Sequence, residues 1–306
     1  MVKKQHYIPQ FYMKFWGVGR DNKTLWQYIK EKDAYFICHT DDKNCCNVNL
    51  LYEIKYNDDP LLVDWFEPNY IEKIFGHKEG EWHKTLTTLF DEWESCPHLT
   101  IRAHTQELLS DFIANLTVRN PCMVSQNRQR TQQIVDEFFS EPIDPILEGI
   151  MSLYPNFKES TLLEYVCKQI LVPDMSPYVY KPSGPILGAE HRDILKSLLR
   201  RKMYLLKSEN SSFVFSDLPA LLVNFPDFSY FVCPLSPKYT ALFVEKKYVC
   251  MLSKHYGFVS NHINIVDDMV GYSFLSPYLN SKRVTKIYAG SKLQLEFAID
   301  CFRKFL

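Results

Sequence analysis

Residues 3–16 read KKQHYIPQFYMKFW, an aromatic-rich stretch close to the start of the chain. It holds one histidine, two tyrosines, two phenylalanines and one tryptophan. Chain ends are usually polar and frayed unless packing holds them in place. Burying one large apolar side chain stabilises a fold by about 1.5–3 kcal/mol relative to leaving it in water. We therefore expect residues 5–16 to be ordered and largely buried.

His6 is the residue of this stretch with the widest chemical range. Pro9 follows closely and keeps the segment stiff and extended. An imidazole titrates near pH 6.5, which makes histidine a common general acid, general base or metal ligand. The alternative is a buried ring that hydrogen-bonds to the backbone and holds the segment in place. We expect His6 to lie close to Arg119 or Asp217, in a cleft that the N-terminal segment closes.

The composition is that of a globular protein. The chain has 306 residues, of which 46% are apolar and 23% are charged, and its formal net charge is −1. This balance excludes a basic field over the whole surface for nucleic-acid binding, but it leaves room for a local basic patch. No glycine-rich nucleotide-binding motif is present, so ATP-driven and Rossmann-type redox chemistry are disfavoured.

Location follows from the apolar runs and the cysteines. The chain does not open with a signal peptide, and its apolar runs are shorter than the ~18 residues that a membrane-spanning helix needs. The nine cysteines form no C-x-x-C pair. They are typical of reduced thiols rather than of a disulfide framework or a zinc site. We expect a cytoplasmic protein without membrane contact.

The chain falls into three stretches. Residues 25–40 predict a β-hairpin with its turn at residues 31–33, and residues 47–54 predict a short strand. Apolar residues at spacings of three and four predict helices over residues 70–93 and 101–119, with a break at Gly76 and Gly80 in the first and an end near Pro121 in the second. Further helices are predicted over residues 126–139, up to about 171, and over 189–202.

The last third is rich in strands. Residues 211–225 and 229–248 predict β-structure, followed by a helix over 264–275, a strand over 283–290 and a closing helix over 291–305. An N-terminal hairpin, a central helical region and a C-terminal β-rich region with closing helices predict an α+β fold. We expect a single domain over residues 1–306, with any internal boundary in the proline-rich residues 173–185.

Arg119 and Asp217 are the main candidates for a site beside His6. Arg119 lies on the apolar face of its predicted helix, where a buried guanidinium needs a partner. That partner is either a carboxylate, from Asp217 or a glutamate, or the phosphate of a substrate. Asp217 follows an apolar strand and precedes Pro219, where it could act as a base, bind a metal or cap the turn.

Four carboxylates are weak candidates for a divalent cation such as Mg²⁺. Glu72 and Glu81 are nine residues apart, so on one continuous helix they point to opposite faces, whereas a break at Gly76 and Gly80 could bring them together. Asp217 and Glu245, the latter followed by Lys246 and Lys247, resemble the Asp…Glu-x-Lys pattern of restriction-like nucleases. In that pattern the two carboxylates lie on neighbouring strands and chelate the metal together.

The opening stretch resembles the start of the family catalogued as domain of unknown function 4238. Members begin with a similar Gln-His-Tyr-hydrophobic-Pro-x-Phe-hydrophobic run. Later stretches resemble the family in the same order: residues 70–72 with Glu81, then 118–121, 213–219, 233–237 and 263–264. The resemblance covers nearly the whole chain. It departs at Leu116, where the family pattern has a glutamine.

The resemblance implies a bacterial accessory protein with a place in a phage-defence or toxin system, but it implies no particular reaction. The first hypothesis is an effector enzyme, a nuclease acting on RNA or DNA with His6, Arg119 and Asp217 as catalytic residues. The second is a non-catalytic module that binds nucleic acid or a partner protein of a defence or toxin–antitoxin operon. Basic clusters at residues 128–130 and 200–202 would contact phosphates in either case.

Overall fold

The chain has an α+β fold with strands at its start, helices in its middle and a sheet with closing helices at its end. This agrees with the expected fold class. The computed structural model describes residues 4–19, 21–41, 45–49, 51, 70–96, 100–126, 178–181, 184–187 and 189–304. None of the described helices combines the length and apolar character needed to cross a bilayer.

The N-terminal part contains two strand pairs and one short helix. Strand β1 (Lys4–His6) pairs antiparallel with β4 (Asn47–Asn49). Helix α1 (Gln10–Lys14) begins directly after Pro9, whose fixed φ angle suits the entry to a helix. Strands β2 (Thr24–Ile29) and β3 (Ala34–His39) form the expected hairpin.

The hairpin belongs to a four-stranded sheet that the end of the chain completes. Its strand order is β3-β2-β13-β8, where β8 is Phe215–Ser216 and β13 is Lys286–Ala289. Strand β13 pairs antiparallel with both β2 and β8. The first and last parts of the chain therefore share one sheet.

A second sheet has five strands in the order β12-β7-β11-β10-β9. Its strands are β7 (Lys202–Ser208), β9 (Leu221–Asn224), β10 (Ser229–Pro234), β11 (Tyr239–Val244) and β12 (Ile263–Val266). All neighbours are antiparallel except β12 and β7, which are parallel. Every residue of β11 is buried, so this strand lies at the centre of the fold.

Two predicted helices were wrong at one end because strands take their place. Helix α4 (Ala189–Leu199) ends three residues before the predicted limit, and strand β7 begins at Lys202. The second helix was predicted to begin at residue 264, but strand β12 occupies this position and helix α6 (Asp268–Asn280) follows the strand. Asp267 caps α6 by accepting a hydrogen bond from the amide of Val270, at 2.8 Å.

The central helices are α2 (Tyr70–Ser95) and α3 (Ala103–Val118), and helices α5 (Val249–Tyr256) and α7 (Lys292–Lys304) follow later in the chain. The break expected at Gly76 and Gly80 was wrong, because α2 runs through both. Each glycine costs the helix about 1 kcal/mol relative to alanine. Packing compensates, since Trp82 and Trp93 are buried on one face of α2.

Helix α3 ends where the sequence predicts, and a new helical segment over residues 121–126 begins at once. The side-chain oxygen of Asn120 accepts a hydrogen bond from the amide of Cys122, at 2.8 Å. Pro121 takes the first helical position, where its missing N–H is not needed.

Part of the remaining predictions falls outside the described residues. These are the predicted helix over 126–139 (apart from residue 126 itself), the predicted helix that ends near residue 171, and the basic cluster at 128–130. Within the proline-rich stretch, β5 (Tyr178–Lys181) and β6 (Gly184–Leu187) form an antiparallel pair.

The aromatic start of the chain is ordered and largely buried, as the sequence predicts, and it packs between the two sheets. Ile8, Tyr12, Met13 and Trp16 are each at most 1% exposed. The Tyr12 hydroxyl donates to the Pro234 carbonyl of the five-stranded sheet at 2.5 Å. The Trp16 ring lies 5.0 Å from the ring of Phe215, in the four-stranded sheet. Residues 8–16 therefore connect the two sheets.

Replacing Trp16 with alanine should lower the free energy of unfolding by about 3–5 kcal/mol, because it leaves a cavity between the sheets. Urea denaturation followed by circular dichroism measures the change. Leu293→Ala is the matched control, since this leucine is 75% exposed and its loss should cost less than about 0.5 kcal/mol. Equal effects of the two substitutions would contradict the packing described here.

Candidate functional site

Arg119, at the end of α3, is a fully buried cation that contacts Glu79, His6 and Phe75. Its side chain has no exposed surface and forms an ion pair with Glu79, at 2.6 Å. A second guanidinium nitrogen donates to the backbone carbonyl of His6, also at 2.6 Å. The guanidinium carbon lies 4.0 Å from the centre of the Phe75 ring. Arg119 thus ties helix α2 and strand β1 to helix α3.

These contacts bear on the two alternatives for Arg119. The ion pair with a glutamate is present, and the guanidinium uses its donors inside the protein. The structure therefore favours the structural salt bridge over contact with a substrate phosphate. The assignment of Arg119 as a catalytic residue stays a prediction.

His6 ends strand β1 and is partly exposed. Its Nε2 atom lies 3.4 Å from the side-chain nitrogens of both Gln10 and Asn47. Hydrogen-bond contacts with two polar side chains and partial exposure are compatible with both interpretations of His6.

Asn120 carries the connection on to Asp217. Its side-chain nitrogen donates to the Asp217 carbonyl at 3.2 Å. Neighbouring residues of one chain, Arg119 and Asn120, thus hold the backbones of His6 and Asp217. We call these four residues the His6–Asp217 junction. The expectation that His6 lies close to Arg119 is confirmed, but the contact uses the His6 carbonyl rather than its ring.

The Asp217 carboxylate is partly buried and accepts hydrogen bonds from Thr285. The Thr285 amide lies 3.1 Å from one carboxylate oxygen, and the Thr285 hydroxyl donates to the other. Burial raises the pKa of Asp217 above its usual value, and the hydrogen bonds from Thr285 act in the opposite direction. A carboxyl group with a raised pKa is suited to proton transfer near neutral pH.

The charge of Asp217 affects the pKa of two further groups, Tyr7 and Lys30. Burial raises the pKa of Tyr7 well above its usual value, and Cys46 and Asp217 add to this effect through their charges. Burial lowers the pKa of Lys30, whereas the charge of Asp217 opposes that shift. The Lys30 ammonium donates to the carbonyls of Leu279 and Ser281, at 2.9 and 3.1 Å. Asp217 therefore lies in a partly buried, polar environment.

The structure separates the carboxylates proposed for a metal. Asp217 follows β8 in the four-stranded sheet, whereas Glu245 follows β11 in the five-stranded sheet. The expectation that they end neighbouring strands was wrong. Glu81 lies exposed on α2 beside Lys78, at 3.1 Å, and the side chain of Glu72 is outside the described residues. Nowhere in the described part of the chain do three histidine, cysteine, aspartate or glutamate side chains gather as metal ligands.

Sequence reasoning missed three contributors to the junction. Glu79 carried no signal of its own beyond the general need of a buried arginine for a carboxylate. Asn120 was recognisable as a helix cap, since it precedes Pro121, but its contact with Asp217 spans 97 positions. Thr285 lies on the approach to β13 and had no signal that linked it to Asp217.

Comparison with known proteins identifies the family. Residues 4–249 match the family model described as Protein of unknown function (DUF4238), which is well over half of the chain. The chain belongs to this family. No curated protein and no solved structure matches it. The resemblance drawn from the opening stretch is therefore confirmed at the level of the family, and the DUF4238 description assigns no activity.

Replacing Glu79 with glutamine should lower the free energy of unfolding by about 3–5 kcal/mol, because it leaves the buried Arg119 guanidinium without a counter-charge. Chemical denaturation at pH 7 measures the change. Glu81→Gln provides the control, because Glu81 lies on the same helix but is exposed, and it should change stability by less than about 0.5 kcal/mol. A stable Glu79→Gln variant would show that the pair contributes little.

The raised pKa of Asp217 predicts a pH-dependent difference between the wild type and Asp217→Asn. Above the usual carboxyl pKa and up to the raised one, the folded protein binds more protons than the unfolded chain. The contribution of Asp217 to stability is therefore present at low pH and is lost as pH rises through the raised pKa. From pH 4 to 7, wild-type stability should fall relative to the variant in denaturant titrations. A difference that is constant, or that changes in the opposite direction, would refute this.

Proposed function

We propose that this DUF4238 protein is a nucleic-acid-directed effector enzyme, a nuclease that works through acid–base chemistry. The observation that carries the proposal is the His6–Asp217 junction, in which one pair of neighbouring residues holds both an imidazole-bearing and a carboxyl-bearing segment. Hydrolysis of a phosphodiester needs one group to accept a proton and another to donate one. His6 and Asp217 are the candidates for these roles.

In this proposal Arg119 is a positioning residue. Its buried guanidinium binds the backbone carbonyl of His6 and so fixes the position of the backbone that carries the imidazole. A divalent cation such as Mg²⁺ is compatible with the chemistry, and Asp217 is the described carboxylate of the junction that would contact it. A place in a phage-defence or toxin system follows from the family resemblance alone and is part of the proposal.

The second candidate function is a non-catalytic module that binds nucleic acid or a partner protein of a defence or toxin–antitoxin operon. The hydrogen bonding of Asp217 favours it, because both carboxylate oxygens accept from Thr285 as in a capped turn. A structural carboxylate would use its oxygens in this way. The two functions differ in what a substitution of His6 removes.

His6→Ala and Asp217→Asn should each abolish cleavage of labelled single-stranded RNA, single-stranded DNA or duplex DNA, while shifting the melting temperature by only a few degrees. Loss of one general acid or base typically costs about 10²–10⁴-fold in rate. Cleavage is followed on denaturing gels, with Mg²⁺ and with EDTA, using the full chain. Growth arrest on expression in a bacterial host gives a second readout.

Two exposed residues provide the controls. His255→Ala and Asp227→Asn make the same chemical changes outside the junction and should leave cleavage unchanged. Binding of these nucleic acids by the wild type without any cleavage would support the second function instead. Unfolding of His6→Ala would assign His6 a structural role.

A further inference from the structure

A cleft lies where helix α4 ends, strand β7 begins and strand β11 ends. It has a volume of about 730 Å³, within the range of ligand-binding sites. Five cationic side chains line it: Lys196, Arg200, Arg201, Lys246 and Lys247. Asp193 and Glu245 are the two carboxylates among its lining residues. The cleft is therefore strongly positive in a chain whose net charge is −1.

Only part of this positive charge is neutralised within the protein. Glu245 lies 3.5 Å from Arg201 and 3.2 Å from Lys247, and it also accepts from the Ser229 hydroxyl at 2.7 Å. Arg201 is mostly buried and lies over the ring of Phe231, so it forms part of the floor of the cleft.

The other three cations, Lys196, Arg200 and Lys246, are exposed and form no ion pair with any described residue. Lys196 and Arg200 lie at the carboxyl end of α4, where cations also stabilise the helix dipole. That role does not explain Lys246, which comes from the segment after β11, some 46 positions beyond Arg200. Side chains from two separate parts of the chain thus place free positive charge in one concave site.

Aromatic side chains flank the cleft on the side of Lys247. The Lys247 ammonium lies 4.8 Å from the centre of the Tyr248 ring, and the Tyr248 ring packs edge-on against Phe228 at 5.0 Å. Cations beside partly exposed aromatic rings are the combination that single-stranded nucleic acids bind, through phosphates and stacked bases.

We propose that this cleft binds the phosphate backbone of single-stranded nucleic acid, with Lys196, Arg200 and Lys246 as the phosphate contacts. The choice of nucleic acid as the polyanion rests on the proposed function. The cleft adds the kind of polymer, a single strand, and the place where it binds.

The position of the cleft favours a polymer over a free nucleotide. Ser229, at one end of β10, contacts the cleft residue Glu245, whereas Pro234, at the other end, contacts Tyr12 close to the junction. Five residue steps along a strand span roughly 17 Å. A nucleotide in the cleft would not reach Asp217, so chemistry at the junction on a substrate held in the cleft requires a polymer.

The test measures binding of the full chain to a fluorescein-labelled single-stranded RNA of about 15 nucleotides by fluorescence anisotropy. The salt concentration is varied, and EDTA is present. Each phosphate contact on a single strand contributes about −0.7 to the slope of log K against log salt. The double variant Lys196→Gln/Lys246→Gln should therefore bind roughly 10- to 30-fold more weakly at 0.1 M salt, with a slope shallower by about 1.4.

The matched control is Lys254→Gln/Lys282→Gln, which removes the same charge from two exposed lysines outside the cleft. It should bind like the wild type. An equal loss in both variants would overturn the proposal, because only overall charge would matter. So would absence of binding by the wild type at low salt, or tighter binding of the corresponding duplex.

The same samples separate this proposal from the catalytic one. His6→Ala should weaken binding much less than the double variant does, because the phosphate contacts lie in the cleft. Binding that depends on Lys196 and Lys246 without cleavage by the wild type would support the cleft and refute the nuclease. Cleavage that is lost in His6→Ala but insensitive to the cleft variant would support the nuclease and refute the cleft.

Discussion

A guanidinium without exposed surface must be paired, and the pairing of Arg119 determines much of the molecule around it. Its donors are shared between the Glu79 carboxylate and the His6 carbonyl, and its flat face rests on Phe75. Removing a buried charge from water costs several kcal/mol, so none of these partners is dispensable. The start of the chain is held against the central helices for this reason, and Asn120, the next residue, extends the same connection to Asp217.

The N-terminal aromatic residues also connect the two sheets. Tyr12 contacts the five-stranded sheet and Trp16 contacts the four-stranded sheet, so the segment that follows His6 is held by both. The positive cleft lies at the other end of strand β10. In the proposed function, this strand separates the residues that would transfer protons from the residues that would contact phosphates.

Local sequence patterns were reliable wherever short-range physics decides. The hairpin of β2 and β3, the end of α3 at Asn120 and the burial of residues 5–16 all follow from alternation, capping and apolar content. Prediction was wrong where packing outweighs local preference. Helix α2 continues through two glycines because its buried face stabilises it, and residues 263–266 form a strand because β7 offers them a partner, paired in parallel, from far away in sequence.

The sequence by itself determined the α+β class, the membership in the DUF4238 family and the choice of His6, Arg119 and Asp217 as residues to watch. Only the tertiary structure decided how they are used. The sequence indicates that a buried arginine needs a partner. It does not indicate whether that partner is Glu79 or a substrate, because Glu79 and Arg119 are 40 positions apart. The same holds for Lys196 and Lys246. The sequence shows that these residues are charged, whereas their convergence on one cleft depends on which strands lie side by side.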